Sequence, residues 1–411
     1  MTESQIKIYI LTHGVDFTEA ALEFAEEFGA KRQNMVYNAP VEFIDGKKSV
    51  TSLRRPQELF LIGLDGYKVC VSAVSPIPNR KCAVVDYIDG VLKIATPTQP
   101  NLIDGLLEIT YVKQPEYYSL TTSTGRDIKR IVSSCGYNEM NIWPWHDCAI
   151  KGKCSFCGIN TLNKKNNNGE DMMHALELGQ INAEVYWKDR GDDVKKEICE
   201  AIELARYDEC FTEGIHLIMI TGNLDESQLN LQAQIYADIS YEITKEFGPI
   251  FREGIVAVTA PPNDLNYLQI MKDGGVDICV LNLEAYTPAA FDLHCKGKSK
   301  LGRDHYIASL EKGVEIFGYG KSWTNFVLGL EDHNELLNGC IELAKKGINP
   351  GANVLHIDYG SSLTIDPPTY ETVIEFYTKL ADILREYKME PYYSEKALRT
   401  SLTNEAYAGR F

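Results

Sequence analysis

The spacing of apolar positions changes part-way along the chain. Up to about residue 115 the pattern is mostly of period two. Residues 67–74, 83–87, 91–94 and 106–112 are β-branched or aromatic runs bounded by turn formers, which predicts short strands. Asp89-Gly90 between the second and third predicts a tight hairpin. One helix is predicted around 17–28. Together these read as an α+β accessory domain over 1–115. Stretches 95–101 and 113–126 read as connectors, and the polar run 163–170 as an exposed loop.

From about Cys135 onward, strand-like apolar runs alternate with helical patterns. Strands are predicted at 215–220, 255–260, 278–283, 324–330 and 353–357. In one helix Val194, Ile198, Ala201, Ile202 and Ala205 share a face. Others cover 263–273, 304–317 and 332–346, ending at Gly274-Gly275, Gly318 and Gly347, where a helix C-cap favours positive φ. A last long helix follows Pro367-Pro368. Repeated βα units imply a parallel sheet. With the segment before Cys148 as the first strand there are about six units. The expected fold class is therefore α/β, a partial (β/α)6 TIM-like barrel over 116–411 with a C-terminal helix. In such barrels the chemistry sits at the C-terminal ends of the strands.

Composition narrows the partners. The chain has 411 residues, 44% of them hydrophobic and 24% charged, as in ordinary globular proteins. No apolar run approaches the ~18 residues of a membrane span. The start, Met-Thr-Glu-Ser-Gln-Ile-Lys, has no basic stretch followed by an apolar core, so a cytoplasmic location is expected. The formal net charge of −17 repels phosphate backbones and tells against nucleic acid.

Eleven cysteines in a chain read as cytoplasmic predict thiols rather than a disulfide framework. Eight are scattered: Cys70, Cys82, Cys135, Cys199, Cys210, Cys279, Cys295 and Cys340. The other three, Cys148, Cys154 and Cys157, lie in one loop after the first barrel strand. Thiolates this close can share a soft metal centre. Three of them could hold a 4Fe-4S cluster and leave one iron open to a ligand. The alternative is zinc, with His146 as fourth ligand in an interaction module.

Here the chain resembles the radical S-adenosylmethionine (SAM) superfamily, in which three loop cysteines bind a 4Fe-4S cluster and an aromatic precedes the last. Phe156 takes that place. The first gap is five residues rather than the usual three. Downstream, Thr221-Gly222-Asn223 lies where the family has a short Gly-Gly-Glu or Ser-Gly-Glu segment. There Asn223 keeps a carbonyl acceptor but no charge. The stretch 272–284, ending in Glu284, and Arg303 at the next helix start resemble the biotin-synthase and FeFe-hydrogenase-maturase branch. Gly329-Leu330 resembles a segment that packs near adenine. Stretch 356–363 resembles that branch's last strand and loop.

The resemblance covers roughly 138–388. It implies that Cys148, Cys154 and Cys157 ligate the cluster, while Arg303, Glu284 and the 221–223 turn orient the methionine end of SAM. Phe156 and Gly329-Leu330 would flank adenine. It further implies reductive cleavage of SAM to a 5′-deoxyadenosyl radical, with an external electron donor such as flavodoxin or ferredoxin. Strand-end groups facing a small-molecule substrate would come from His216, Thr259, Asn282, Tyr286, Thr324, Asn325, His356, Asp358 and Tyr359. Asp358 and Tyr359 are the favoured catalytic candidates. No cysteine follows Cys340, so no C-terminal auxiliary cluster is expected. No Asp-x-His-x-x-Gly cobalamin signature is present either. A biosynthetic small-molecule reaction is favoured over a radical enzyme modifying tRNA or peptide.

Overall fold

Six strands run parallel in strict chain order: β1 (Glu139–Ile142), β2 (Ile215–Ile220), β3 (Phe251–Val258), β4 (Val276–Val280), β5 (Ser322–Leu328) and β6 (Ile348–Val354). A seventh strand, Val132–Cys135, pairs antiparallel with β1 at the edge. The sheet curls into a half-barrel, as the βα rhythm predicts. The computed structural model describes residues 1–32, 43–44, 47–48, 54–97, 106–145, 148–150, 154–158, 182–357, 361–391 and 396–411.

The strand sequences explain their place. β2 reads Ile-His-Leu-Ile-Met-Ile and is buried along almost its whole length. A nearly continuous apolar run suits a parallel strand covered on one face by helices and filled in on the other. Helices α1 (Ala183–Ala205), α2 (Leu229–Phe247), α3 (Asn266–Asp273), α4 (Arg303–Phe317), α5 (His333–Lys345) and α6 (Tyr370–Glu386) intervene or follow. The predicted face of α1 is buried, and Asn182 caps its start. Gly275, Gly318 and Gly347 take positive φ at helix ends, as expected. Gly274 does not. Its backbone lies so close to α2 that an added Cβ would sit 2.6 Å from the Ala237 carbonyl oxygen.

The N-terminal part departs from the predicted pattern in two places. Residues Glu3–His13 form a helix, closed at its start by a Thr2–Gln5 capping box. Its Ile6, Ile8 and Ile10 are all buried, as is Lys7, which pairs with Glu405. A helix buried on every side has no amphipathic period to read. The strand Glu58–Gly63 is also new, and it is the centre of the antiparallel sheet Lys68–Ser72, Glu58–Gly63, Leu106–Tyr111. The hairpin held to expectation. Strand Ala83–Ile88 turns through Asp89 and Gly90, both at positive φ, into Val91–Ala95.

Segment 396–400 meets both ends of the barrel sheet. Tyr137, in the turn before β1, donates to Lys396 O (3.0 Å), and Val354 at the end of β6 donates to Thr400 O (2.8 Å). It also meets the N-terminal part, where Ser72 donates to Arg399 O (3.1 Å) and Lys7 Nζ to Leu398 O (2.5 Å). No helix among the described residues is long and apolar enough to cross a membrane.

Candidate active site

The cysteine loop leaves the C-terminal end of β1 and is pinned at both ends. Trp143 Nε1 donates to Ser133 Oγ (2.9 Å), and Trp145 Nε1 donates to Gly222 O (2.6 Å). Beyond Cys148, Ala149 N donates to Asn223 O (2.7 Å). Cys154 and Cys157 close a turn through Cys157 N to Cys154 O (3.2 Å). Between them Ser155 N donates to His294 O (2.8 Å), and Ser155 O accepts from Ser362 N (2.8 Å). His146 lies outside the described residues.

The three thiols share this mouth and are partly exposed. Burial pushes the Cys154 thiol up to about 11; the charge of Cys148 adds to this, while Lys298 and the Gly297 N–H oppose it. Among the described residues no three His, Cys, Asp or Glu side chains are gathered as around one metal ion. A 4Fe-4S cluster asks for a different arrangement. Each cysteine binds its own iron at a separate corner, so the thiols need a common mouth rather than a common point.

A cavity of about 300 Å³ opens beside the loop. Its walls take in Phe156 and Cys157 from the loop, Glu284 beyond β4, and Asn282, Asn325 and His356 from other strand ends. Cys148, Cys154, the 221–223 turn, Arg303 and Gly329-Leu330 are not among its walls. Each has defined surroundings. Asn223 Oδ1 accepts from Gln232 Nε2 and Ala260 N, both at 2.9 Å, and so braces the ends of β2 and β3. Thr221 Oγ1 donates to Trp145 O. Arg303, the first residue of α4, donates through Nε to Tyr286 O, with its guanidinium 4.6 Å from the Tyr286 ring centre. Leu330 is buried, and Gly329 passes so close to Leu355 and Pro368 that a Cβ would lie 3.1 Å from each.

Glu284 is held firmly. It is a non-glycine residue at φ +69, with its N–H on Asn325 O (3.0 Å) and its carbonyl accepting from Val327 N (2.8 Å). Its carboxylate pairs with Lys298 Nζ at 2.8 Å.

The other strand-end candidates separate clearly. Thr324 Oγ1 accepts from Leu283 N and is fully buried. Thr259 bonds Gln232, His216 pairs with Glu253, and Tyr286 lies against Arg303. Asp358 and Tyr359 lie outside the described residues. The cavity adds groups not expected from the sequence: Glu139 and Asn141 of β1, Trp323 of β5, and Arg399. The alternation Glu139-Met-Asn141-Ile was a readable signal, since polar side chains on one face of a barrel strand point inward. Arg399 had none, because only the fold brings it to β1.

No protein-family model matches the chain. It is 28% identical over 202 residues to bacteriochlorophyllide c C-7(1)-hydroxylase of Chlorobaculum limnaeum, covering 48% of this chain and 50% of that one. The chain thus spans about half the length of the curated relative it matches. Its fold is also similar to the FeFe-hydrogenase maturase HydG from Carboxydothermus hydrogenoformans, at 15% identity, with 67% of this chain and 60% of that one covered and a TM-score of 0.43. Methylornithine synthase (PylB) is similar at 15% identity, with coverages of 66% and 72% and a TM-score of 0.40.

The resemblance read from the sequence would imply a 4Fe-4S cluster and SAM. The residues here fit the cluster in chemistry, since three cysteines on one loop supply its soft donors. A second feature agrees: the Tyr306 hydroxyl is fully buried in the neighbourhood of Cys154, with no hydrogen-bond partner among the described residues.

Proposed function

We propose that this chain is a radical SAM enzyme acting on a small molecule, with Cys148, Cys154 and Cys157 as ligands of a 4Fe-4S cluster. The observation that carries this reading is the cavity wall shared by Cys157, Phe156 and Glu284 at the mouth of a parallel half-barrel. Held by these cysteines, a 4Fe-4S cluster would supply one electron to break the SAM sulfonium C–S bond, giving methionine and a 5′-deoxyadenosyl radical able to take hydrogen from substrate.

The chain's own residues hold and shelter the reactants. Glu284 offers a fixed carboxylate to the SAM amino group, and Arg303 a planar fork to its carboxylate. Such a fork must turn from the Tyr286 carbonyl to reach a ligand. The 221–223 turn, braced by Trp145 and Gln232, gives a rigid edge beside the cysteine loop. Phe156 presents a flat apolar face for adenine, with Gly329-Leu330 behind. Asn282, Asn325 and His356 supply polar contacts for substrate, and Asp358 and Tyr359 remain the proposed catalytic groups. A volume of about 300 Å³ sits at the small end of ligand pockets, which favours a small substrate. The electron would come from a flavodoxin- or ferredoxin-like donor.

Anaerobic purification tests this. The expected protein is brown, binds iron, and forms 5′-deoxyadenosine from SAM and dithionite. Alanine at Cys148, Cys154 and Cys157 removes all three properties. A colourless protein carrying about one zinc per chain refutes the proposal.

A further inference from the structure

The turn after helix Pro288–His294 wraps the back of Cys154. Lys298 N donates to Cys295 O (2.7 Å), and the Gly297 N–H donates to the Cys154 sulfur. Lys298 then runs inward. Its Nζ donates to Asn282 O (2.6 Å) and Glu284 Oε1 (2.8 Å), and lies 5.5 Å from the Tyr306 ring centre. The Lys298 side chain is only 10% exposed, and Tyr306 is fully buried. Burial alone would drive the Lys298 ammonium towards neutrality, but the Glu284 carboxylate outweighs it and holds the charge. The turn that carries Lys298 lies against the cysteine loop, where Ser155 N, next to Cys154, donates to His294 O (2.8 Å). Burying a cation is costly, and a buried pair gains little over apolar packing of the same shape. Keeping one beside a ligand sulfur has a direct consequence if that sulfur carries a cluster, because charge and hydrogen bonds around ligand sulfurs tune a cluster's potential.

Resting on the cluster reading above, we propose that Lys298 and Tyr306 are positioning residues for the cluster: ammonium and phenol lie on the Cys154 side, stabilise the reduced state, and raise its midpoint potential. The phenol, which has no partner among the described residues, donates to a cluster sulfur. Glu284 joins this charge to the SAM side of the mouth, so one ion pair spans both ligand groups.

The test is a redox titration followed by electron paramagnetic resonance on the full, anaerobically reconstituted chain without SAM, with iron per chain measured alongside. Lys298→Met is expected to shift the reduction equilibrium at least tenfold towards the oxidised state, 59 mV for a one-electron couple. Lys298→Arg keeps the wild-type potential. Tyr306→Phe shifts in the same direction as Lys298→Met, by less. Where Lys298→Met does not fold, Tyr306→Phe, which keeps the ring and its packing, decides the matter by its own shift. Iron-loaded variants titrating at the wild-type potential overturn this inference and leave the cluster reading standing. A wild-type chain that binds no iron overturns both.

Discussion

Glu284 shows how one residue can be fixed from several sides. Its backbone takes a left-handed conformation that non-glycine residues adopt at a cost, typically of order 1–3 kcal/mol. Hydrogen bonds on both sides to the β5 backbone hold it there. Its carboxylate is the acidic partner of a buried lysine, so Glu284→Gln strands that cation. The expected loss is about 3–5 kcal/mol in urea unfolding, beyond any effect on SAM binding. Adding Lys298→Met in the same chain removes both charges and should recover most of it. The expectations at the cysteines, Phe156, Glu284 and Arg303 rest on residue type and order along the chain, and the cavity wall takes in Cys157, Phe156 and Glu284 of these. Lys298 and Tyr306 were not. Nothing in a sequence marks which lysine will be buried, nor which tyrosine will lack a partner.

At the scale of elements, periodicity served well wherever one face was polar. Strands β2 to β5 and the helix faces around them followed the apolar pattern with ends displaced by a few residues, whereas β6, expected at 353–357, is Ile348–Val354, whose Pro350 and Gly351 hide a strand. It failed for the helix Glu3–His13, which is buried on nearly every side, and for the central strand Glu58–Gly63, buried along its length. It gave no warning of segment 396–400, an irregular stretch that reaches both ends of the sheet. That contact depends on Gly136, which sits at φ +48 with its backbone against Lys396; a Cβ there would lie 1.9 Å from the Lys396 carbonyl oxygen. Gly136→Ala is therefore expected to cost on the order of 2 kcal/mol, as overpacking does. Hydrogen exchange should show the loss of protection concentrated around Thr400 and Tyr137 rather than in α2 or α3.

Across the whole molecule, buried ion pairs tie the N-terminal elements to the barrel and its C-terminal segment. Glu58 is fully buried among Lys31, Arg399 and the Gly136 N–H. Burial alone would raise its carboxyl pKa. Lys31 and Arg399 outweigh it and hold the value below the ordinary 4.5 of glutamate. A depressed carboxyl stabilises the fold above 4.5 and loses that contribution as pH falls through its folded value. Stability from urea unfolding should thus drop as pH is lowered past 4.5, by more than in Glu58→Gln. At pH 7 that variant should itself be about 3–5 kcal/mol less stable than wild type. The same ties explain why texture alone divides the chain more sharply than its contacts do. One continuous apolar cluster runs from Ile6 and Leu59 to Phe376 and Leu384.

The bond from Lys7 to Leu398 joins residues 391 positions apart. During synthesis at 5–20 residues per second, the helix Glu3–His13 therefore waits on the order of 20–80 s for its partner to leave the ribosome. Through that interval Lys7 lacks its partners Leu398 and Glu405. The interval also sets an order of maturation. The wall contributed by Arg399 is in place only after that residue has emerged, so the finished cavity forms later than the strands that line it.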